Sequence, residues 1–213
     1  MKRLFLLVPI FALVFSCNSD DDSLPQPESE DNFYALTMGN EWVYRNYKYN
    51  VNTQLYEDTG VVDSVSIAGT ESIDGNTYYK FRTYTTGNDE GITFCNPNGE
   101  HFEWLRDVDG NLIRSDGSIK FTNTDYNERL LTTNSGVSIY ETLQNGTYEV
   151  ILEAGTFTGM FSERYARADD GSEYSGRDTF VYVDGIGMVY DTSSFITQEV
   201  PTIERRLTSY TVQ

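Results

Sequence analysis

Histidine is all but missing: His101 is the single one in 213 residues. Cysteine is nearly as scarce, with Cys17 and Cys95 alone. Zinc sites usually combine several His or Cys ligands, so the two shortages argue against a zinc enzyme and against a disulfide framework. Basic residues are thin as well, 15 against 33 acids for a net charge of −18. Phosphate backbones are engaged through clustered Lys and Arg, so nucleic acid is not an expected partner, and anionic head groups are poor docking surfaces. Beyond residue 16 no long apolar run occurs, and none anywhere reaches the roughly 20 residues that a helix needs to cross a bilayer core. Also missing are the Gly-x-Ser-x-Gly elbow, the Walker loop and the dinucleotide glycine fingerprint. No catalytic residue, metal ligand or cofactor is assigned.

The one apolar run opens the chain. Lys2 and Arg3 precede residues 4–15, which are apolar and broken only by Pro9, a length that suits the hydrophobic part of an export signal. The run ends in Val14-Phe15-Ser16-Cys17, which resembles the lipobox of bacterial lipoproteins: an aliphatic residue, two spacers of which the second is small, then cysteine. The resemblance implies that residues 1–16 are a lipoprotein signal peptide, cleaved before Cys17, and that the Cys17 thiol and new amine are acylated. Each buried CH2 contributes about 0.8 kcal/mol and a single chain holds only marginally, so two or more chains at Cys17 would anchor the protein without a span. Ser19, Asp20, Asp21 and Asp22 follow at once. This block resembles the acidic surface-export signal of Bacteroidota lipoproteins and implies the outer face of the outer membrane. Read only as polypeptide it is a self-repelling tether, equally at home on the periplasmic face. Residues 17–32 hold hardly an apolar side chain and form a lipidated acidic tether. Loss of Lys2 and Arg3, two positive charges, would take the net charge from −18 to −20.

Residues 33–213 suffice for one domain with its own core. Sixteen Tyr, 12 Phe and 17 Gly favour strands punctuated by turns. Strand patterns fall at 41–49, 61–70, 77–86, 101–108, 112–114, 118–121, 129–133, 147–154, 156–168, 179–183, 187–190 and 206–212, about ten strands once the shortest are merged. Asp74-Gly75 and Asp109-Gly110 sit between alternating runs, the strongest short-range hairpin signal. No helical period competes. The expected fold is all-β, an antiparallel meander curled into a half-barrel or near-barrel, with a two-sheet sandwich as the alternative. Residues 33–38 read as an entry turn packed on that body.

Both ends of the body carry short motifs. Residues 35–44, Ala-Leu-Thr-Met-Gly-Asn-Glu-Trp-Val-Tyr, resemble the opening "P-L-x-x-G-N-x-W-x-Y" of a group of Bacteroidota outer-membrane lipoproteins. Residues 184–190, Asp-Gly-Ile-Gly-Met-Val-Tyr, and 205–210, Arg-Arg-Leu-Thr-Ser-Tyr, resemble that group's "G-V-G-x-V" and "L-x-S-Y" ending. Residues 73–81 fit its "G-x-x-Y-Y-x-F". Ala35 replaces the usual Pro and Ile186 the usual Val. The group carries no assigned activity; what it implies is a β-rich domain, related in shape to the half-barrels that ferry lipids and lipoproteins across the periplasm. Physically the motifs read as structure, with Trp42 and Tyr44 on one strand face capping a core.

A few residues remain to be weighed. Asp63-Ser64-Val65 matches the three-residue signal that resembles Bacteroidota O-glycosylation sites, which would place a sugar on Ser64. The acidic turns at 107–111 and 169–173 contain oxygen ligands but lack the remaining positions of a calcium loop, so ordinary turns account for them. Cys95, in Phe94-Cys95-Asn96-Pro97-Asn98-Gly99, reads as a turn-packed thiol. The leading functional expectation is a lipid-anchored, non-enzymatic binding or interaction module whose curled sheet offers an apolar concavity to a small apolar molecule, or a surface to a protein. The alternative is a carboxylate-dependent hydrolase of surface polysaccharide, which needs a cleft with two carboxylates about 5 to 10 Å apart. A structural partner in a larger complex would instead show an exposed apolar patch of several hundred Å2.

Overall fold

The computed structural model describes residues 32–213; Cys17, Ser19, Asp20, Asp21, Asp22 and the leader lie outside the described residues. Turn chemistry organises the β-rich body. Asp74 and Gly75 take φ of 51° and 78°, Asp109 and Gly110 52° and 79°, Ser135 and Gly136 50° and 81°. Two successive positive-φ residues make the two-residue turn whose twist matches a hairpin, and Asp-Gly or Ser-Gly supplies it at low cost.

The first strands in chain order are β1 (Glu41–Asn50), β2 (Leu55–Ile73), β3 (Asn76–Thr86), β4 (Gly99–Val108), β5 (Asn111–Arg114) and β6 (Ile119–Thr122). After them come β7 (Arg129–Asn134), β8 (Val137–Leu143), β9 (Tyr148–Leu152), β10 (Gly155–Ala168), β11 (Glu173–Val183), β12 (Gly187–Ser193) and β13 (Ile203–Thr211). Among the described residues no helix forms. All pairings are antiparallel, and the sheet runs β6-β5-β4-β3-β2-β1-β13-β12-β11-β10-β8-β7, with β9 attached to β10. The first and last of the described strands, β1 and β13, are therefore neighbours in mid-sheet, and two arms extend from them.

That order forces curvature. β6 and β7 are the two ends of the sheet yet only residues 123–128 separate them. The steps from 122 to 129 reach at most ~25 Å of chain, whereas twelve flat strands side by side would span about 50 Å. The sheet must roll until its edges approach, and since β6 and β7 do not pair with each other, the roll stays open. It is a curled antiparallel meander, not a pair of separate sheets. The hairpin of β9 and the start of β10 adds a local second layer, with Tyr148 stacked 6.1 Å from Tyr190 on the face of β12 opposite Asp191.

One end of the curl is filled. Residues 33–36 are buried in a turn held by Asn32, whose side-chain oxygen accepts from the Leu36 amide at 2.6 Å. Tyr34 donates to the Gly110 carbonyl at 2.6 Å, and the Gly185 amide donates to the Phe33 carbonyl at 3.2 Å. Tyr34, Phe121 and Tyr182 pack ring on ring, with centroids 4.1 to 6.3 Å apart. The entry turn is thus a plug. Trp42 donates to the Ile186 carbonyl and Tyr44 to the Met188 carbonyl, both at 2.7 Å, so the opening and closing motifs are bonded directly to each other.

Among the described residues thirteen strands form where the sequence pattern suggests about ten. β8 has no counterpart in that pattern, because Glu141 points inward and breaks the polar-out alternation. β2 begins six residues before 61, through Glu57-Asp58-Thr59-Gly60, which reads as a turn. β11 likewise starts at Glu173 rather than 179.

Candidate binding site inside the curl

The middle of the sheet aims charge inward. Register sets Arg205 of β13 opposite Asp191 of β12 and Asn46 of β1, and Asp63 of β2 opposite Thr85 of β3. Arg205 forks onto Asp191, Nε to Oδ1 at 2.7 Å and Nη2 to Oδ2 at 3.2 Å, and its Nη1 lies 3.7 Å from Asp63 Oδ2. Asp63 also accepts from Thr85 Oγ1 at 2.5 Å and from Asn46 Nδ2 at 3.2 Å. Bidentate, charge-assisted bonding of this kind fixes geometry as well as charge. Burial works against the Arg205 cation, but Asp191 and Asp63 outweigh it and hold its pKa above the ordinary value. Tyr44, beneath the guanidinium at 5.2 Å, has its phenol pushed up by burial, with Arg205 opposing.

Two further clusters flank this centre, one on each arm. On the β4–β6 arm, Glu103 accepts from Arg114 Nε at 2.7 Å and from Lys120 Nζ. Burial lowers the Lys120 pKa and Glu103 raises it, while the neighbouring Arg114 and Arg205 push it further down. On the other arm, the fully buried Glu141 accepts from Arg129 at 2.7 Å and from Arg164 at 2.8 Å. Each carboxylate is shared by two cations. Asp178, opposite Arg164 in the register, accepts from Ser194 Oγ at 2.5 Å; burial raises its pKa against the opposing pull of Ser194 and Arg164.

These groups surround three small cavities. A space of about 70 Å3 beside Trp42, Phe81 and Leu112 has the most apolar wall. Spaces of about 170 and 180 Å3 lie on the polar side, the first under Phe94 and Asn96, the second among Arg114, Lys120, Arg164 and Arg205. Arg205 lines all three. Pockets for drug-sized ligands run to about 300–1,000 Å3, so the apolar concavity anticipated from the aromatic content is small. The open space is polar.

The residues singled out in the sequence separate. Ser64 is exposed in mid-β2, while Asp63 and Val65 beside it face the interior; the buried network by itself accounts for an aspartate at 63. His101 contacts the Pro97 carbonyl at 2.8 Å through Nε2. The acidic turns are closed by their own chain: Asp107 accepts from the Gly110 amide at 3.0 Å, and Asp170 from the Ser172 amide at 2.9 Å. Among the described residues no group of three or more His, Cys, Asp or Glu is placed to hold a metal ion. The inward charges were not singled out from the sequence, where each looks like a solvent-facing residue of an alternating strand.

An outer cleft of about 690 Å3, lined by Lys48, Glu57, Asp58, Glu90 and Phe195 among others, is where a hydrolase would have to work. Two of its carboxylates serve the β1–β2 hairpin, Asp58 pairing with Arg45 at 2.8 Å and Glu57 accepting from Asn50 and Thr53 at 2.9 and 3.1 Å. At its rim Phe94 and Phe195 meet edge to face at 4.8 Å and are both about half exposed.

No protein-family model and no curated protein matches the chain. Two solved structures do. One is a candidate exported protein with a YmcC-like fold from Bacteroides fragilis, 10% identical, TM-score 0.52, covering 84% of this chain and 98% of that one. The other is a candidate lipoprotein from Parabacteroides distasonis, 13% identical, TM-score 0.49, with the same coverage. At such identity the first likeness speaks to the fold alone.

Proposed function

We propose that the chain is a lipid-anchored lipoprotein of the outer membrane, exposed at the cell surface, whose β-domain is a non-enzymatic binding module. The observation that carries this reading is Cys17, placed between a short export segment and an acidic block. In keeping with it, the fold-level neighbour from Bacteroides fragilis is described as an exported protein, and the terminal motifs resemble those of the Bacteroidota group. The polar interior supports binding over catalysis: its carboxylates Glu103, Glu141, Asp63 and Asp191 are each held by cations, an arrangement in which they serve as structural counter-ions rather than facing open space as a pair.

Metabolic labelling with palmitate tests the anchor: the chain incorporates label and a Cys17→Ala variant does not. Protease shaving of intact cells tests exposure: replacement of Asp20, Asp21 and Asp22 by Ala protects the domain. Retention of purified surface polysaccharide without release of new reducing ends marks a binder. Reducing ends that accumulate, and that vanish in Glu57→Gln or Glu90→Gln, establish the hydrolase instead.

A further inference from the structure

The space of about 180 Å3 is walled by side chains from both arms of the sheet: Arg114 and Lys120 from β5 and β6, Arg164 from β10, Asp191 and Arg205 from β12 and β13. Four of these five are cations, in a chain whose net charge is −18. Their counter-ions do not cross the space. Glu103 is divided between Arg114 and Lys120 within one arm, and Glu141 between Arg129 and Arg164 within the other. Taken alone, each flanking cluster has one positive charge in excess, while the central Asp63, Asp191 and Arg205 set has one negative charge in excess; at the wall of the space itself four cations stand against the one acid, Asp191. Asp178, which also feels Arg164, accepts from Ser194 and is not part of the wall. Arg129, part of the second cluster and outside the wall, keeps its buried Nε and Nη1 without a partner among the described residues. Like charges brought together in a site of reduced dielectric repel strongly unless something neutralises them.

We infer that this cavity is an anion site that takes a tetrahedral oxyanion, the phosphate or sulfate group of a small ligand or of a glycan substituent, bridging Arg114 and Lys120 on one arm to Arg164 on the other. The guanidinium forks of Arg114 and Arg164 suit bidentate contacts to such a group, and the Lys120 ammonium adds a point charge. The room is adequate. On the scale where one water takes about 10–15 Å3, about 180 Å3 accepts the oxyanion with several waters. Asp191 turns both its oxygens to Arg205, which also serves Asp63, so the oxyanion sits toward Arg114, Lys120 and Arg164 on the other walls. A carboxylate would satisfy the charge but leave donors on one wall idle. The site rests on the reading of the domain as a binding module and specifies what it binds.

An anion held between the arms also ties the two ends of the open curl, so binding must register as resistance to unfolding. The test titrates sodium sulfate, sodium phosphate and sodium acetate into the full-length chain in detergent, at constant ionic strength. Thermal midpoint and calorimetry are read together. Sulfate or phosphate binds with one-to-one saturation and raises the midpoint; acetate binds at least tenfold more weakly. Which of the first two binds more tightly separates a phosphorylated from a sulfated source. Arg164→Gln and Arg114→Gln each weaken sulfate at least tenfold, while Arg45→Gln and Arg82→Gln, whose cations sit in exposed pairs, leave it unchanged. If a site variant fails to fold, broadening of the Arg164 and Lys120 side-chain resonances of the native chain on sulfate addition takes its place. No saturable binding, equal binding of acetate, or equal loss in the Arg45 and Arg82 variants overturns the site. Retention of surface polysaccharide that free sulfate does not compete leaves the binding module standing and removes this site. Sulfate binding without polysaccharide retention does the reverse.

Discussion

Phe121 of β6 and Tyr182 of β11 stack at 4.1 Å with their planes 28° apart, although they belong to opposite arms of the sheet. No backbone ladder joins β6 to β7, so side chains such as these hold the curl shut. Phe121 is completely buried. Phe121→Ala is expected to cost about 3–5 kcal/mol, as for large buried aromatics, read as a lower urea midpoint. Phe102→Ala, at a side chain 42% exposed, should stay within about 1 kcal/mol. Equal losses would mean that the curl does not depend on the interior stack.

The Tyr44 hydroxyl and the Met188 carbonyl meet 144 residues apart in sequence. Tyr44→Phe keeps the packing and strands that carbonyl in the interior. A loss of about 1–3 kcal/mol is the ordinary result of leaving a buried acceptor unsatisfied. An unchanged denaturation midpoint would show that water replaces the phenol.

Burial, with Asp63 adding to it, pushes the Cys95 thiol up to about 11. The thiolate is the nucleophile, so the native protein at pH 8 should react with iodoacetamide on the order of a hundredfold more slowly than the same chain in urea. A Cys17→Ala chain makes the readout specific to Cys95. Equal rates would place the thiol in open solvent.

Two carboxylates give stability opposite pH dependences. Burial raises the pKa of Asp178, so the native state favours its neutral form. That contribution is fully present below about 4, the usual aspartate value, and is lost as pH rises through the folded pKa. Asp178→Asn should therefore be more stable than the parent near neutrality, with the difference shrinking toward pH 4. Glu103 runs the other way. Burial opposes its ionisation, but Lys120 and Arg114 prevail and lower its pKa. Its contribution is present above the usual value of about 4.3 and fades as pH falls through the folded one. Glu103→Gln should weaken the protein near neutrality and match it in acid. Urea midpoints across the pH range decide both, and parallel profiles would contradict the assignment.

How much of this could be read from sequence depended on which face a side chain took. The hairpins at Asp74-Gly75 and Asp109-Gly110 were legible because the turn demands positive φ and the residues supply it. β9 was legible because Tyr148, Val150 and Leu152 face the core while Glu149 and Ile151 do not. The same rule failed at β8 and along the first half of β2 and β11, where acids, Gly60 and Gly176 occupy strand positions. Gly176 is there because a Cβ would lie 2.5 Å from the Phe195 carbonyl oxygen, a tertiary reason with no local signature. The inner site failed for one physical cause: Asp63, Glu103, Glu141, Asp191 and Arg205 occupy the concave face. Alternation alone cannot tell a charged interior from a wetted exterior.

The pairing of β1 with β13 has a consequence in time. A chain that is threaded across a membrane from its N-terminus delivers β13 last, after every other strand has emerged. Until then β1 has one neighbour and its inner face lacks Arg205. Closing contacts between residues so far apart is slow, and an incomplete sheet of this kind stays loose. The order of strands makes β13 the piece that closes the sheet: until it is placed, the two arms share no continuous ladder.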